Sequence, residues 1–268
     1  MNKTKIEWCD STWNPVTGCL HDCEYCYARK IAERFGKKDD NSIFLKRIKL
    51  TKPLYYQDKK HVRRISPYPF GFSPTFHKYR LGEPQRKKKP QNIFVCSMAD
   101  LFGDWVPDEW IEEVFTACDN AQQHNYLFLT KNPKRYSEIY RSGLDYRCYM
   151  WFGTTATDED SYINRGMELY QATGRDYRSH AKRFLSIEPL HGKISDSILH
   201  ATIYLVDWII IGCETGNRKD KIIPKKEWID NIVEECKYAG IPVFMKDSLI
   251  PIVGEENMLR EFPEGLRG

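Results

Sequence analysis

Trp208-Ile209-Ile210-Ile211-Gly212-Cys213-Glu214-Thr215-Gly216 is an apolar, β-branched run that breaks off into a polar, glycine-bearing turn. Such a run reads as a buried strand with a stop signal behind it. The same kind of segment recurs at Asn92 to Ser97, Tyr126 to Thr130, Tyr149 to Thr154, Arg183 to Ile187 and Pro242 to Lys246. Stretches of helical period lie between them. One starts at Pro107-Asp108-Glu109, with proline in the first turn and acids at the positive end of the helix dipole. It carries Trp110, Ile111, Val114, Phe115 and Cys118 on one face. Another runs from Pro224 to Ala239 with Trp228, Ile229, Ile232, Val233 and Cys236 at the same spacing, and stops at Gly240. Asn132-Pro133 opens a further helix, and Asp158 to Thr173 places Ile163, Met167 and Tyr170 in register. Ahead of all these, a strand near Trp13 to Gly18 precedes a helix from Tyr27 to Phe35 that ends at Gly36. Strands alternating with helices predict βα units around a parallel sheet. Six to seven units is short of a closed eight-fold barrel. The expected fold is therefore α/β, a partial (open) βα barrel with a basic, aromatic-rich insertion after the first unit. In such folds the chemistry gathers at the carboxyl ends of the strands.

The 268 residues suffice for a full hydrophobic core, and the expected organisation is one domain over 1–268 with 37–91 an irregular insertion inside it. A content of 41% hydrophobic, 13% aromatic and 29% charged residues excludes a disordered chain. No apolar run approaches the roughly 20 residues that span a bilayer, so no membrane partner is expected. Met1 to Trp8 carries charge with no apolar stretch behind it, which points away from a secretory signal and towards the cytoplasm. Thiols stay reduced there. An odd set of nine cysteines then calls for metal, cluster or catalysis before disulfides. Cys118 and Cys236 fall on helical apolar stripes and read as structural, while Cys9, Cys96 and Cys148 are isolated and define no site.

The charge is unevenly placed. Residues 37–91 sum to +12 within a chain of net +4, so the remainder is net acidic. An asymmetry of this size suggests a polyanionic partner for one surface. The segment interleaves Phe44, Tyr55, Tyr56, Tyr68, Phe70, Phe72, Phe76 and Tyr79, rings able to stack on unpaired bases of DNA or RNA or to pack beneath the loop. The competing interpretation is a solvated basic excursion pinned down by its aromatics. Pro53, Pro67, Pro69, Pro74 and Pro84 argue for irregular backbone.

Three cysteines stand together in Gly18-Cys19-Leu20-His21-Asp22-Cys23-Glu24-Tyr25-Cys26-Tyr27, spaced C-x3-C-x2-C between a strand and a helix. Three thiolates this close can converge on one centre from one loop. Structural zinc wants four ligands, and only the cramped His21 is at hand to complete the set. A cubane iron-sulfur cluster held by three thiolates leaves one iron open to a chelating small molecule.

The run resembles the C-x3-C-x-aromatic-C signature of radical S-adenosylmethionine (SAM) enzymes, with Tyr25 at the aromatic position. More narrowly, six segments are similar to the phage Gp37/Gp68 family, also called the DUF5131 family. They are Thr12 to Cys19, Ser97 to Phe102, Leu129-Thr130-Lys131, Ser186 to Leu190, Trp208 to Gly216 and Pro242 to Lys246, in order along nearly the whole chain. The superfamily resemblance implies a 4Fe-4S cluster on Cys19, Cys23 and Cys26, with the SAM methionine groups on the fourth iron. It also implies reductive cleavage to a 5'-deoxyadenosyl radical. Ser97 and Asp100, after the second strand, would then face the methionine amino group, or Asp100 instead caps local backbone. Thr154 and Thr155 would meet the ribose or carboxylate, and Gly212 and Glu214 would approach the adenine. Glu188, a carboxylate closing an apolar strand, is either a catalytic group or a buried ion pair with Lys131 or Lys246. Cys213 is either a small buried hydrophobe or a thiol that returns a hydrogen atom to a substrate radical, as a cysteine does in the spore photoproduct lyases.

The leading expectation is thus a radical SAM enzyme that modifies or repairs a nucleic acid or nucleotide, reduced by a donor such as flavodoxin or ferredoxin. Two alternatives stand beside it. One is a radical SAM enzyme for a small molecule or peptide; the other is a non-enzymatic nucleic-acid-binding protein stabilised by zinc or a cluster.

Overall fold

The computed structural model describes residues 1–36, 48–58, 60–141, 148–174 and 181–266. Seven parallel strands lie side by side in chain order: β1 (Ser11–Trp13), β2 (Asn92–Val95), β3 (Asn125–Thr130), β4 (Met150–Ala156), β5 (Lys182–Ile187), β6 (Trp208–Ile211) and β7 (Val243–Met245). Asn2–Lys3 pairs antiparallel with the free edge of β1. Among the described residues β1 and β7 do not meet, so the sheet is an open α/β partial barrel. The helices are α1 (Tyr27–Phe35), α2 (Asp108–Asp119), α3 (Arg135–Arg141), α4 (Glu159–Thr173), α5 (Asp196–Thr202), α6 (Lys226–Ala239) and α7 (Ile250–Val253). Among the described residues no helix is long and apolar enough to cross a membrane.

The alternation of the strands separates two apolar layers. Ile93, Val95, Phe128, Phe152, Leu185, Ile187, Ile209 and Ile211 face outward and bury themselves against Trp110, Ile111, Val114 and Phe115 of α2 and Ile229, Ile232 and Val233 of α6. Cys118 and Cys236 lie fully buried in that layer, as their stripes predict. The inward layer holds Trp8, Phe94, Leu127, Trp151, Phe184, Trp208, Ile210, Phe244 and Leu266. Its rings touch edge to face or tilted, with Trp151 6.5 Å and Phe184 6.0 Å from Trp208. Gly153 follows Trp151 on the inward side because a Cβ there would stand 2.4 Å from the Phe184 ring.

Several expectations need correction. The segment near Trp13 to Gly18 is two strands, since Asn14-Pro15 interrupts the ladder and Val16–Thr17 leaves to pair with Thr75–His77. The contact stripe of α4 is Tyr162, Gly166, Leu169 and Thr173, whereas Met167 and Tyr170 are exposed. Gly166 and Thr173 carry little apolar bulk at two of these four positions, so counting bulk shifted the stripe by one position. Helix α5 has seven residues, too few for a periodic signal. Nor is the insertion irregular throughout. Ile48–Leu50 and Thr75–His77 complete a three-stranded sheet with Val16–Thr17, and Tyr55–Gln57 pairs with Arg63–Ile65 as a separate hairpin. Phe72 and Phe76 are buried, and Phe76 stacks on Trp110 at 5.2 Å, so part of the aromatic content does anchor the insertion. Phe44 lies outside the described residues, and Tyr55 and Tyr56 are exposed.

Candidate cofactor site

The carboxyl ends of the strands and the cysteine loop after β1 enclose a cavity of about 450 Å³. Gly18 makes that enclosure possible. Its φ is +89°, and a Cβ would stand 2.4 Å from the Ser73 carbonyl, so only glycine lets the loop press onto the insertion here. The next residue, Cys19, donates its backbone N–H to Phe72 O at 3.2 Å. Cys26 caps α1, its Sγ accepting from Arg29 N at 3.4 Å. Cys19, Cys23 and Cys26 all line the cavity. Burial pushes the Cys19 thiol up to about 12 against a lowering backbone hydrogen bond at His21, and the charges of Asp100, Cys23 and Cys26 act upward as well. A thiol in this setting becomes a thiolate when a cationic centre is supplied. Among the described residues no group of three or more His, Cys, Asp or Glu side chains is arranged as a single-ion site.

His21 is turned to Asp100, Nε2 to Oδ2 2.7 Å. Asp100 is otherwise filled by the protein: Thr130 Oγ1 donates to Oδ1 at 2.7 Å, Phe102 N at 3.0 Å, and Lys131 N donates to Oδ2 at 2.9 Å. This carboxylate ties β2, β3 and the cysteine loop together, rather than being held open for an ammonium. Ser97 Oγ donates to Asn14 Oδ1 at 3.2 Å, and its carbonyl accepts from Tyr27 OH at 2.8 Å. Tyr25 accepts a hydrogen bond from Lys131 Nζ and sets its ring edge to face with His191 at 5.5 Å.

On the far side, Glu188 is ion-paired with Lys246, as one of its two readings anticipates. Lys246 also stands 4.0 Å from Glu7. Burial alone would lower the Lys246 pKa; the charge and hydrogen bond of Glu188, with Glu7, outweigh it and hold the ammonium above its ordinary value. Gly212 leaves room for this pair, since a Cβ would lie 3.0 Å from Lys246 Cδ and 3.1 Å from Glu188 Cδ. It packs behind the pair instead of lining the cavity. Glu214 accepts from Arg218 Nε and Nη2, both at 2.8 Å, and lies 3.6 Å from His191. The Arg218 hydrogen bond, against burial, holds the Glu214 carboxyl below its usual range. Arg218 Nη1 reaches Glu24 of the cysteine loop at 3.3 Å. Cys213 lines the cavity with its Sγ donating to Ser248 O at 3.0 Å.

Thr154 and Thr155 part company. Thr154 points outward, fully buried, and donates to Thr130 O at 2.9 Å, so it does not reach a ligand. Thr155 faces inward. Its hydroxyl and that of Ser186 line the cavity with no hydrogen-bond partner among the described residues. The structure therefore gathers Tyr25, Ser97, Asp100, Thr155, Glu188, Cys213 and Glu214 around the three cysteines, and leaves out Thr154 and Gly212. Sequence reasoning missed His191 and Arg218. The available signal was their nearness to Glu188 and Glu214 past the ends of β5 and β6.

The chain is thus an open α/β barrel of seven parallel strands with a strand-end cavity and a cysteine-bearing loop after the first strand. Solved structures bear out the fold. The chain superposes on a mutant spore photoproduct lyase with bound AdoMet and dinucleoside spore photoproduct with a TM-score of 0.53 at 9% identity, covering 91% of this chain and 78% of that one. Spore photoproduct lyase complexed with the dinucleoside photoproduct alone, and a cysteine-to-serine mutant of the lyase, each give 0.51 at 10% identity over 91% and 79%. The chain itself belongs to the DUF5131 family, described as a protein of unknown function, whose model matches residues 3–248. No curated protein matches it.

Proposed function

We propose that this chain is a radical SAM enzyme acting on a nucleic acid or nucleotide. The observation that carries the first half is the convergence of Cys19, Cys23 and Cys26 on one strand-end cavity. Three half-buried thiols lining one cavity, with His21 turned to Asp100, suit a cluster that keeps one iron open, and these three would hold a 4Fe-4S cluster. When bound, the cluster and SAM supply an electron and a 5'-deoxyadenosyl radical that takes hydrogen from a substrate. The chain's own residues do the rest. Trp8, Phe94 and Leu129 give the cavity an apolar wall that excludes water from a bound nucleoside. Thr155 and Ser186 offer hydroxyls that no protein group among the described residues uses. Glu188 is bonded at Oε1 by Lys246, leaving its other oxygen for a ligand hydroxyl or amine. Cys213 presents a thiol at the same cavity and would return a hydrogen atom.

The second half is supported by the +12 charge of residues 37–91 and by the occurrence of a photoproduct-bound lyase on the same fold. A flavodoxin or ferredoxin would supply the electron. The test is anaerobic reconstitution with iron and sulfide, reduction by dithionite and addition of SAM. The expected result is a brown protein, an electron paramagnetic resonance signal perturbed by SAM, and 5'-deoxyadenosine. Cys19→Ala, Cys23→Ala and Cys26→Ala should each abolish deoxyadenosine, while Cys118→Ala and Cys236→Ala should lower stability alone. A colourless protein that takes up zinc and makes no deoxyadenosine would overturn the reading, and unchanged product formation by Cys213→Ala would remove the role of that thiol.

A further inference from the structure

The hairpin of Tyr55–Gln57 and Arg63–Ile65 belongs to neither of the larger sheets. Two strands alone bury almost nothing. This pair nevertheless carries Leu54, Tyr55, Tyr56, Val62 and Ile65, each between 41% and 49% exposed. The register sets Tyr55 opposite Ile65, Tyr56 opposite Arg64 and Gln57 opposite Arg63. Alternation then gives one face bearing Tyr55, Gln57, Arg63 and Ile65, and another bearing Tyr56 and Arg64.

The two faces differ in what their cations do. Arg64 is spent on Asp58, Nε to Oδ2 2.5 Å. Arg63 lies 4.0 Å over the Tyr55 ring and has no acidic partner among the described residues. That face therefore combines a guanidinium over a phenol ring, an exposed isoleucine and a positive charge with no acidic partner among the described residues. An unpaired base offers a π-face to such a stack and a phosphate to the cation. A duplex hides its base faces, and an acidic peptide has none. The hairpin is tethered within chain reach of the cavity. From Ile65 the chain reaches Phe72 in seven residues, at most about 25 Å even if fully extended. Phe72 lines the cavity, and its carbonyl accepts from Cys19 N at 3.2 Å.

We propose that the Tyr55–Arg63–Ile65 face of this hairpin binds single-stranded nucleic acid and leads it to the cavity. The proposal rests on the reading of the chain as an enzyme of nucleic acids. Its test is binding by the full-length protein of a fluorescein-labelled oligothymidylate of about 15 nucleotides, compared with a duplex of the same length, by fluorescence anisotropy. The single strand should bind at least about tenfold more tightly than the duplex. Tyr55→Ala and Arg63→Gln should each weaken single-strand binding by about tenfold, the scale of one lost base stack. Arg64→Gln removes the same formal charge and should cost less than about threefold, and Tyr55→Phe should restore wild-type binding. Equal losses for Arg63→Gln and Arg64→Gln, no loss for Tyr55→Ala in a protein of unchanged melting temperature, or equal affinity for polyglutamate would each overturn the proposal. Deoxyadenosine formation by the wild type without nucleic acid is read separately. Its absence with intact oligonucleotide binding overturns the radical reading and leaves the hairpin face standing, and its presence with a hairpin-insensitive affinity overturns the hairpin face alone.

Discussion

The two ends of the parallel sheet carry opposite chemistry on the same inward face. Near the amino ends, Trp151, Phe184, Trp208 and Phe244 close the interior around Trp8. One alternation further along the same strands the inward positions become Gly153, Ser186 and Lys246, and beyond them Thr155 and Glu188. Large rings fill the space and leave no room, and the Trp151 indole N–H is buried among them without a partner among the described residues; small and polar side chains leave a cavity with hydrogen-bonding capacity facing it. Polar groups in such a place are costly unless partnered. Glu188 and Lys246 satisfy one another, but the Thr155 and Ser186 hydroxyls have no protein partner among the described residues. The contrast teaches where a ligand belongs: at the positions where open space and hydrogen bonds the fold has not used coincide.

The largest effect that separates the two ends is expected from the aromatic one. Trp208 is fully buried against Trp8, Trp151, Phe184 and Phe244, so Trp208→Ala should cost about 3–5 kcal/mol in urea denaturation. Ser186→Ala, at the other end, should stay within about 0.5 kcal/mol and weaken SAM binding instead. Comparable losses from the two variants would erase the distinction between floor and site. The next effect belongs to the charged pair. Lys246→Met leaves Glu188 half-buried without its counter-charge and should cost about 2 kcal/mol, and adding Glu188→Gln should recover most of that. A double variant no better than the single one would show that the loss is one of packing.

Much of this sheet was legible beforehand, and the exceptions are physical. Strands β2 to β7 announced themselves as apolar runs ended by polar turns, and α2 and α6 by stripes of large side chains. Strand β1 was misjudged because its break is made by Asn14-Pro15 in an otherwise strand-like segment. The cysteines were legible because their spacing is local. What each strand-end residue does was not, because that depends on register and on distant partners. Asp100 follows β2 as expected, but its four hydrogen bonds come from His21, Phe102, Thr130 and Lys131. Arg218, bonded to Glu214, also reaches Glu24, 194 residues away in the chain, a connection no local pattern carries.

The small sheet of the insertion offers a pH test of its coupling to the barrel. His77 is fully buried, its Nε2 2.9 Å from Thr17 Oγ1, and burial, assisted by the Arg80 charge, lowers its pKa from 6.5 to about 3. Its folded value lies below its unfolded one. The stabilisation is therefore complete above about pH 6.5 and is lost as the pH falls towards 3, because the unfolded chain takes a proton that the folded chain refuses. At pH 5 the loss attributable to this group is at most about 2 kcal/mol. Denaturation midpoints of the wild type and His77→Gln should converge by that amount between about pH 7 and about pH 5, and parallel pH profiles would mean that the ring is not held neutral.

The finest distinction lies between two adjacent threonines. Thr154 and Thr155 are chemically identical, and a reading of strand ends treats them alike. The pleat sends one outward to Thr130 O at 2.9 Å and the other inward to the cavity. Thr154→Val should remove a buried hydrogen bond and cost about 1 kcal/mol without touching SAM affinity. Thr155→Val should reverse the pattern. It removes a hydroxyl that no protein group among the described residues uses, so stability should stay within about 0.5 kcal/mol while SAM affinity falls several-fold. Isothermal titration with SAM and urea denaturation on the same two proteins read both axes. If Thr155→Val loses stability and keeps its affinity, the inward hydroxyls are structural, and unspent hydrogen-bonding capacity no longer locates the ligand on this face of the sheet.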